Sequence, residues 1–188
     1  LANNGSISPN EVRAVLDIGC GPLYYGLIFE HLFPNFKFVD GIEYSDFDSY
    51  ERFWLPLLGF SPEKIRMHQA DAFRLDEIKG LEGKAYDLAL MQKWENKDYE
   101  ITERDYIHLF RLIANRLTPN GKLIITLKTE DILHEGSYSR PLVAVLRRMG
   151  IQPVKNWQVA ADRGRLSIDE LQSFVISRDR LCTSTLAR

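Results

Sequence analysis

The chain alternates short, continuous apolar runs with segments in which apolar residues recur every three or four positions. The continuous runs have the length of β-strands buried on both faces, whereas the second spacing is that of an amphipathic helix. The predicted strands are residues 14–18, 36–45, 64–73, 85–92, 122–128, 151–160 and 171–177. The predicted helices are residues 23–32, 46–58, 106–117 and 142–149.

Local signals place several boundaries of these elements. Thr102 and Asp105 have the spacing of a capping box just before the third predicted helix. The sequence "TPNG" at 118–121 predicts a turn, and Gly150 follows the last predicted helix as a C-cap glycine does. Pro56 lies inside the second predicted helix, so we expect that helix to end early or to kink there.

Strands and helices alternate along the whole chain, which predicts an α/β fold with a doubly wound, mostly parallel sheet and helices on both faces. Seven strands are predicted, and 188 residues are enough for one domain with a substantial core. We therefore expect residues 1–188 to form a single domain. Sheets of this kind bind ligands at the carboxyl ends of their strands, so the residues that follow the strands are the first candidates for a site.

Charge and cysteine usage narrow the class of protein. The formal net charge is -2, which does not indicate a nucleic-acid or membrane-surface protein. The charge is uneven, because residues 140–188 contain nine Lys and Arg against four Asp and Glu, giving +5 there and -7 in residues 1–139. Cys20 and Cys182 lie far apart and predict neither a disulfide framework nor a metal site. No apolar run has the length of a membrane span or signal peptide, so we expect a cytoplasmic protein.

The first predicted strand ends in a glycine turn, within the sequence "VLDIGCGPLYYG" at 15–26. Gly19 and Gly21 would let a ligand approach the backbone where the next helix begins. The turn departs from the Gly-x-Gly-x-x-Gly pattern of nicotinamide-binding turns, because Tyr24 replaces the third glycine. Asp17 precedes the turn, and its negative charge disfavours phosphates and suits a ligand that carries an ammonium group.

This turn resembles motif I of the class I S-adenosylmethionine-dependent methyltransferases, whose pattern is acid-x-Gly-x-Gly. The resemblance implies a Rossmann-like fold with an antiparallel last strand, and it extends from about Val12 to about Ser177. Leu23 stands at the position where many members have a third glycine, and Pro22 precedes it. We expect these two residues to crowd the methionine end of the cofactor. Few residues precede the first strand, so we expect the N-terminal lid of the family to be short or missing.

Two further acids extend the resemblance. Glu43 closes the second predicted strand, where the family has a carboxylate that accepts hydrogen bonds from both ribose hydroxyls. Asp71 follows the third strand, where members place an acid that bonds the exocyclic amine of adenine. The competing interpretations are a surface acid for Glu43 and a capping acid for Asp71. The cofactor-binding residues that the resemblance implies are Asp17, Gly19, Cys20, Gly21, Glu43, Tyr44, Asp71, Ala72 and Gln92.

The acceptor side of the site carries weaker signals. In the family the end of the fourth strand faces the acceptor, and here it reads "QKWEN", so that Gln92, Lys93, Trp94 and Glu95 are the nearest candidates. His134 follows the fifth strand and is another. Each of them also fits an ordinary interior or solvent-facing role, so no catalytic residue is assigned. The Asn/Asp-Pro-Pro-aromatic motif of amino-group nucleic-acid methyltransferases is absent.

The resemblance therefore implies a methyltransferase that uses S-adenosylmethionine, and the modest net charge favours a small-molecule acceptor. An RNA acceptor is the first alternative, because the C-terminal third is rich in arginine. The arginines concerned are Arg147, Arg148, Arg163, Arg165, Arg178 and Arg180. A second alternative is a non-catalytic partner subunit or scaffold with the same fold. The sequence does not specify the methylated atom or the oligomeric state.

Overall fold

A computed structural model of the protein describes residues 7–21, 26–45, 63–92, 101–129, 139–162 and 165–183. The strands are β1 (Ala14–Ile18), β2 (Phe38–Glu43), β3 (Ile65–Gln69), β4 (Tyr86–Gln92), β5 (Leu117–Lys128), β6 (Val154–Asp162) and β7 (Arg165–Ser177). They form one sheet in the order β3-β2-β1-β4-β5-β7-β6. The chain builds the sheet outward in both directions from the neighbouring strands β1 and β4. The connections that leave these two strands therefore diverge, and a ligand-binding crevice is expected at their carboxyl ends.

The directions of the strands confirm the predicted fold class. The pairs β1–β2, β2–β3, β1–β4 and β4–β5 are parallel. The last strand, β7, is antiparallel to both β5 and β6. The sheet is therefore mostly parallel with an antiparallel last strand.

Four helices of the described chain connect and cover the strands: α1 (Gly26–Leu32), α2 (Glu103–Arg116), α3 (Arg140–Arg148) and α4 (Arg178–Thr183). Successive residues of a strand face opposite sides of the sheet, and β1 supplies a core on each side. Leu16 packs in a cluster with residues of α2, α3 and α4, whereas Val15 packs with Phe29 of α1. Helices thus lie on both faces, as predicted.

Several predicted boundaries are confirmed. Thr102 and Asp105 form the capping box of α2, in which the Thr102 hydroxyl accepts from the Asp105 N–H and the Asp105 carboxylate accepts from the Thr102 N–H. Gly150 follows α3 with a φ of 67°, the left-handed conformation that favours glycine at a C-cap. The predicted second helix, 46–58, lies outside the described residues.

Several elements differ from the predictions. The "TPNG" turn lies within the bounds of β5, where pairing moves from Tyr86–Leu117 to Leu88–Lys122 and residues 118–121 form an irregularity. A short helix, α4, follows β7 directly and was not predicted. β7 begins at Arg165, six residues before the predicted start, because its first half pairs with β6 alone.

A fully buried aspartate joins β2, β3 and β4 away from the glycine turn. The Asp40 carboxylate accepts hydrogen bonds from Lys84 Nζ at 3.1 Å and the Tyr86 hydroxyl at 2.9 Å, and it lies 2.9 Å from His68 Nε2. Arg66 Nε lies 3.2 Å from it, within ion-pair distance. Burial alone would raise the pKa of Asp40, but the hydrogen bonds from His68, Lys84 and Tyr86 outweigh burial and lower that pKa.

Candidate functional site

The glycine turn after β1 forms an open cradle of backbone. Gly19 and Gly21 have φ values of 65° and 51°, which non-glycine residues rarely adopt. The N–H groups of Gly19 and Cys20 both donate to the Ile42 carbonyl, at 2.8 and 3.2 Å, which fixes the turn against the end of β2. A Cβ on Gly21 would meet no atom of the described residues within 4 Å. The turn therefore leaves space where a ligand can approach the main chain.

Glu43, the last residue of β2, holds this turn through its side chain. Its Oε2 accepts from the Gly21 N–H at 2.9 Å. Its Oε1 accepts from the N–H groups of Tyr44 and Ser45, at 2.9 and 3.2 Å. A carboxylate has about four acceptor positions, so the hydrogen bonds from described residues use both positions of Oε1 and one of the two positions of Oε2. Glu43 is thus not a simple surface acid, because it connects the ends of two strands.

Asp17 lies near Glu43 and is buried, with no counter-charge among the residues that the structure describes. Its side chain is 2% exposed, and its Oδ2 has no hydrogen-bond partner among the described residues. Burial, together with the neighbouring negative charge of Glu43, raises the pKa of Asp17 from 3.8 to about 7. An unpartnered buried carboxylate is costly, and binding of a cationic group would offset part of that cost.

The raised pKa of Asp17 predicts that the protein loses stability as the pH rises. The folded state holds the Asp17 proton up to about pH 7, whereas the unfolded state releases it near 3.8, so the folded state binds more protons between these values. A difference of this size corresponds to about 4 kcal/mol of unfolding free energy, lost progressively between these pKa values. The unfolding free energy of the wild type should therefore decrease between about pH 5 and about pH 8. In Asp17→Asn we expect this decrease to be smaller by most of the contribution of about 4 kcal/mol from Asp17.

Urea unfolding of both proteins at the two pH values measures this difference. Asp76→Asn, which changes an exposed carboxylate, is the matched control and should keep the wild-type pH dependence. Equal pH dependence in all three proteins would contradict the inferred state of Asp17.

The structure places the remaining predicted cofactor residues at the same edge of the sheet or next to it. Asp71 caps a short 3₁₀ turn at Ala72–Arg74, where its Oδ1 accepts from the Phe73 N–H at 2.9 Å. This contact agrees with the capping interpretation of Asp71. It uses Oδ1 of the carboxylate. Ala72 is buried, and Tyr44 is 61% exposed beside Glu43.

Gln92 ends β4 and pairs in register with Thr126 of β5. Lys93, Trp94, Glu95 and His134, the other acceptor-side candidates, lie outside the described residues, as do Pro22 and Leu23. Sequence reasoning missed the Ile42 carbonyl, which fixes the turn, because a main-chain group has no signal in the side-chain pattern.

The arginines of the C-terminal third whose side chains the structure describes lie on α3 and α4, and none of them contacts the glycine turn in the described part of the chain. Arg147 and Arg148 are exposed near the end of α3, where Arg148 pairs with Glu103. Arg178 donates to the Ala114 carbonyl at 3.1 Å, and Arg180 is exposed on α4. Arg163 and the side chain of Arg165 lie outside the described part of the chain.

No helix in the described ranges combines the length and apolar character that a membrane crossing requires. No group of three His, Cys, Asp or Glu side chains in them has the arrangement of a metal site.

Comparison with solved structures identifies the fold. The N-methyltransferase NodS from Bradyrhizobium japonicum WM9 matches over 93% of this chain and 92% of its own, with a TM-score of 0.57 and 16% identity. The chain has the Rossmann-like methyltransferase fold. A proposed O-methyltransferase from Klebsiella pneumoniae matches over 94% of this chain and 81% of its own, with a TM-score of 0.63 and 15% identity. A proposed rRNA methylase from Clostridium thermocellum matches over 89% and 90%, with a TM-score of 0.57 and 11% identity.

No protein-family model matches the sequence, and no curated protein matches it. At these identities the structural matches establish the fold and leave the reaction to be inferred from the site.

Proposed function

We propose that the protein is an S-adenosylmethionine-dependent methyltransferase that binds its cofactor at the carboxyl ends of β1, β2 and β3. The observation that carries this proposal is Asp17, a buried carboxylate that has no counter-charge among the described residues and lies beside the glycine turn. A dinucleotide would bring its negative pyrophosphate toward Asp17, whereas S-adenosylmethionine brings positive charge. The residues present therefore fit this cofactor.

The geometry supports a role for each neighbouring residue. Asp17 would meet the ammonium group of the methionine portion, and the main chain of 19–21 would lie along it. Glu43 Oε2 would accept from a ribose hydroxyl, since the described residues leave one of its acceptor positions open. Asp71 Oδ2 would accept from the adenine amine, because Oδ1 already accepts from the chain. The exposed ring of Tyr44 offers a flat surface at the adenine end.

The chain's own contribution to the reaction is chiefly binding and alignment. When bound, the cofactor supplies a sulfonium methyl group, whose carbon an acceptor lone pair attacks as the carbon–sulfur bond breaks and its electron pair stays on sulfur. Holding the acceptor in line with that bond contributes several kcal/mol of rate enhancement. Gln92, at the end of β4, lies where the acceptor is expected, and no general base is assigned.

The acceptor we favour is a small molecule in the cytoplasm. The net charge of -2 supports this choice over a polyanion, and the widely separated cysteines support a reducing compartment. The specific observation in favour of RNA is the exposure of Arg147, Arg148 and Arg180 on α3 and α4. RNA is therefore the second candidate.

Mass spectrometry of cell extract incubated with the protein and isotopically labelled methyl donor tests the proposal. Label in a small metabolite supports the favoured acceptor, whereas label in RNA nucleosides supports the second candidate. The Glu43→Ala variant is the control for other enzymes in the extract. If no component gains label above that control, the protein is a non-catalytic relative and the proposal is wrong.

A further inference from the structure

Three helices on one face of the sheet carry a strong positive charge. Helices α2, α3 and α4 contain eight of the 15 arginines of the chain and none of its nine lysines. They contain three acidic residues, so these helices carry +5 and the rest of the chain carries -7. Helix α2 packs against both α3 and α4, and all three helices contribute to the same buried cluster. The small net charge of the whole chain therefore combines a basic helical face with an acidic remainder.

The outward stripe of α2 contains no acidic residue. Arg104, His108, Arg111 and Asn115 are exposed, and their spacing of four, three and four residues places them on one side of the helix. The opposite side is buried in the core through residues such as Leu109. At 1.5 Å per residue, the stripe is about 17 Å long.

Further arginines lie at both ends of this stripe. Arg148 pairs with Glu103, so the last turn of α3 lies beside the start of α2. Arg178 donates to the Ala114 carbonyl at 3.1 Å, so α4 lies beside the end of α2. The exposed side chains along this path are called the basic track below. They are Arg104, His108, Arg111, Arg147, Arg148 and Arg180.

Two of the three acidic residues of these helices already have partners. Glu103 pairs with an arginine of α3, and Asp105 accepts hydrogen bonds in the capping box of α2. Arg104, Arg147 and Arg180 are exposed, and none of them forms an ion pair with another described residue. Because like charges at a surface repel one another, an anionic partner that contacts several of them is bound favourably.

The basic track begins at the edge of the sheet that carries the candidate site. Helix α2 leads directly into β5, whose first residue, Leu117, pairs with Tyr86 at the start of β4. The C-terminal end of α2 therefore lies at the amino edge of the parallel strands. The helix has 14 residues and is about 21 Å long, so it crosses back over the sheet. Its N-terminal end, with Arg104, lies toward the carboxyl ends of the strands.

The residue types of the basic track indicate the chemistry of the partner. Arginine presents a planar fork of donors that binds phosphate in a bidentate manner, which lysine does not. Protein–protein interfaces are centred on aromatic or apolar anchors, and no large apolar side chain is exposed among the described residues of α2, α3 and α4. A line of phosphates needs no such anchor, because its affinity comes mainly from charge neutralisation. The face therefore fits a nucleic acid better than a protein.

We propose that the basic track binds the phosphate backbone of a nucleic-acid strand, which runs along α2 toward the edge that carries the candidate site. This inference goes beyond the proposed function, because it holds whether the methyl group is transferred to that strand or to a small molecule. It also requires no cofactor, so its failure would leave the proposed function intact.

Fluorescence anisotropy of the full chain with a labelled single-stranded RNA of about 20 nucleotides, and with DNA of the same sequence, tests the proposal. We expect at least one strand to bind, with an affinity that falls as the salt concentration rises. The slope of log affinity against log salt should be about -2 to -3, since each of three or four neutralised phosphates contributes about -0.7. The tighter of the two strands identifies the kind of nucleic acid.

The double variant Arg104→Glu/Arg147→Glu should bind at least tenfold more weakly and lose about 1.4 from the magnitude of that slope. Arg13→Glu/Lys37→Glu is the matched control, because it makes the same change in net charge at two exposed positions outside the three helices, and it should bind as the wild type does. Arg104→Lys/Arg147→Lys keeps the charges and should keep the slope, which separates loss of charge from loss of fold.

Three results would overturn the proposal. The first is no binding of either strand by the wild type at low salt, or equal binding in the two charge-reversal variants. The second is polyglutamate of similar length bound as tightly as either strand, because an acidic protein would then be the partner. The third is a wild-type dimer in light scattering that Arg104→Glu/Arg147→Glu converts to a monomer, because the acidic part of a second copy would then occupy the face.

Discussion

Replacing Glu43 with alanine is expected to weaken S-adenosylmethionine binding about 100-fold. The carboxylate accepts from three N–H groups, of Gly21, Tyr44 and Ser45, and the described residues leave one acceptor position for a ligand hydroxyl. A hydrogen bond to a charged group contributes about 1.5–3 kcal/mol, which is roughly 10–150-fold in affinity. The loss also releases the Gly21 N–H, so that the cradle itself is less well ordered.

Isothermal titration of purified variants measures this effect. Glu43→Gln keeps one side-chain oxygen and is expected to lose about tenfold, because it cannot satisfy all of the same donors. Glu77→Ala removes an exposed carboxylate away from the turn and is the matched control. Affinity in Glu43→Ala equal to that in Glu77→Ala would mean that the end of β2 does not contact the cofactor.

Replacing Asp40 with alanine is expected to lower the free energy of unfolding by about 4 kcal/mol and the melting temperature by on the order of 10 °C. The substitution leaves the Lys84 ammonium and the Tyr86 hydroxyl without the carboxylate that they contact in the interior. Removing one partner of a buried ion pair is costly because the remaining charge stays desolvated. The lowered pKa of Asp40 means that its contribution is present at neutral pH and is lost as the pH falls through that pKa in acid.

Urea and thermal unfolding at neutral pH measure this loss. Tyr86→Phe removes one of the hydrogen bonds to Asp40 and should cost only about 1 kcal/mol. Cofactor affinity in Asp40→Asn, which keeps the volume of the side chain, should remain at the wild-type value, since Asp40 contacts no part of the glycine turn among the described residues. A stability of Asp40→Ala within about 1 kcal/mol of the wild type would contradict the inferred role of the cluster.

Much of the fold was predictable because its signals are local. The capping box at Thr102 and Asp105, the glycine after α3 and the continuous apolar runs of the parallel strands each depend on neighbouring residues. The start of β7 was missed because residues 165–170 pair only with β6, although the alternation of polar and apolar positions from 165 to 169 is typical of a half-buried strand. The irregularity in β5 was missed for a similar reason: turn residues at 118–121 remain within a strand when the partner strand fixes both sides.

The cofactor site predicted from the sequence lies at strand ends, and the contacts around its residues come from the structure alone. Asp17 and Asp40 both interrupt apolar strands; only Asp17 precedes a Gly-x-Gly turn, and neither local sequence indicates in which direction the pKa of the carboxyl moves. The structure gives Asp40 a set of cationic partners and leaves Asp17 beside Glu43 without any among the described residues. The pKa of Asp40 is therefore lowered, whereas the pKa of Asp17 is raised. Contacts between distant strands create this difference, and a single sequence does not contain it.

The most direct test of the central claim is isothermal titration of the protein with S-adenosylmethionine at about pH 7, in two buffers that differ in heat of ionisation. We expect micromolar binding with proton release by Asp17, because a bound cation lowers its pKa. Asp17→Asn should bind more weakly and release fewer protons. Absence of binding at millimolar ligand, or equal affinity and equal proton release in the two proteins, would contradict the assignment of this edge of the sheet as a cofactor site.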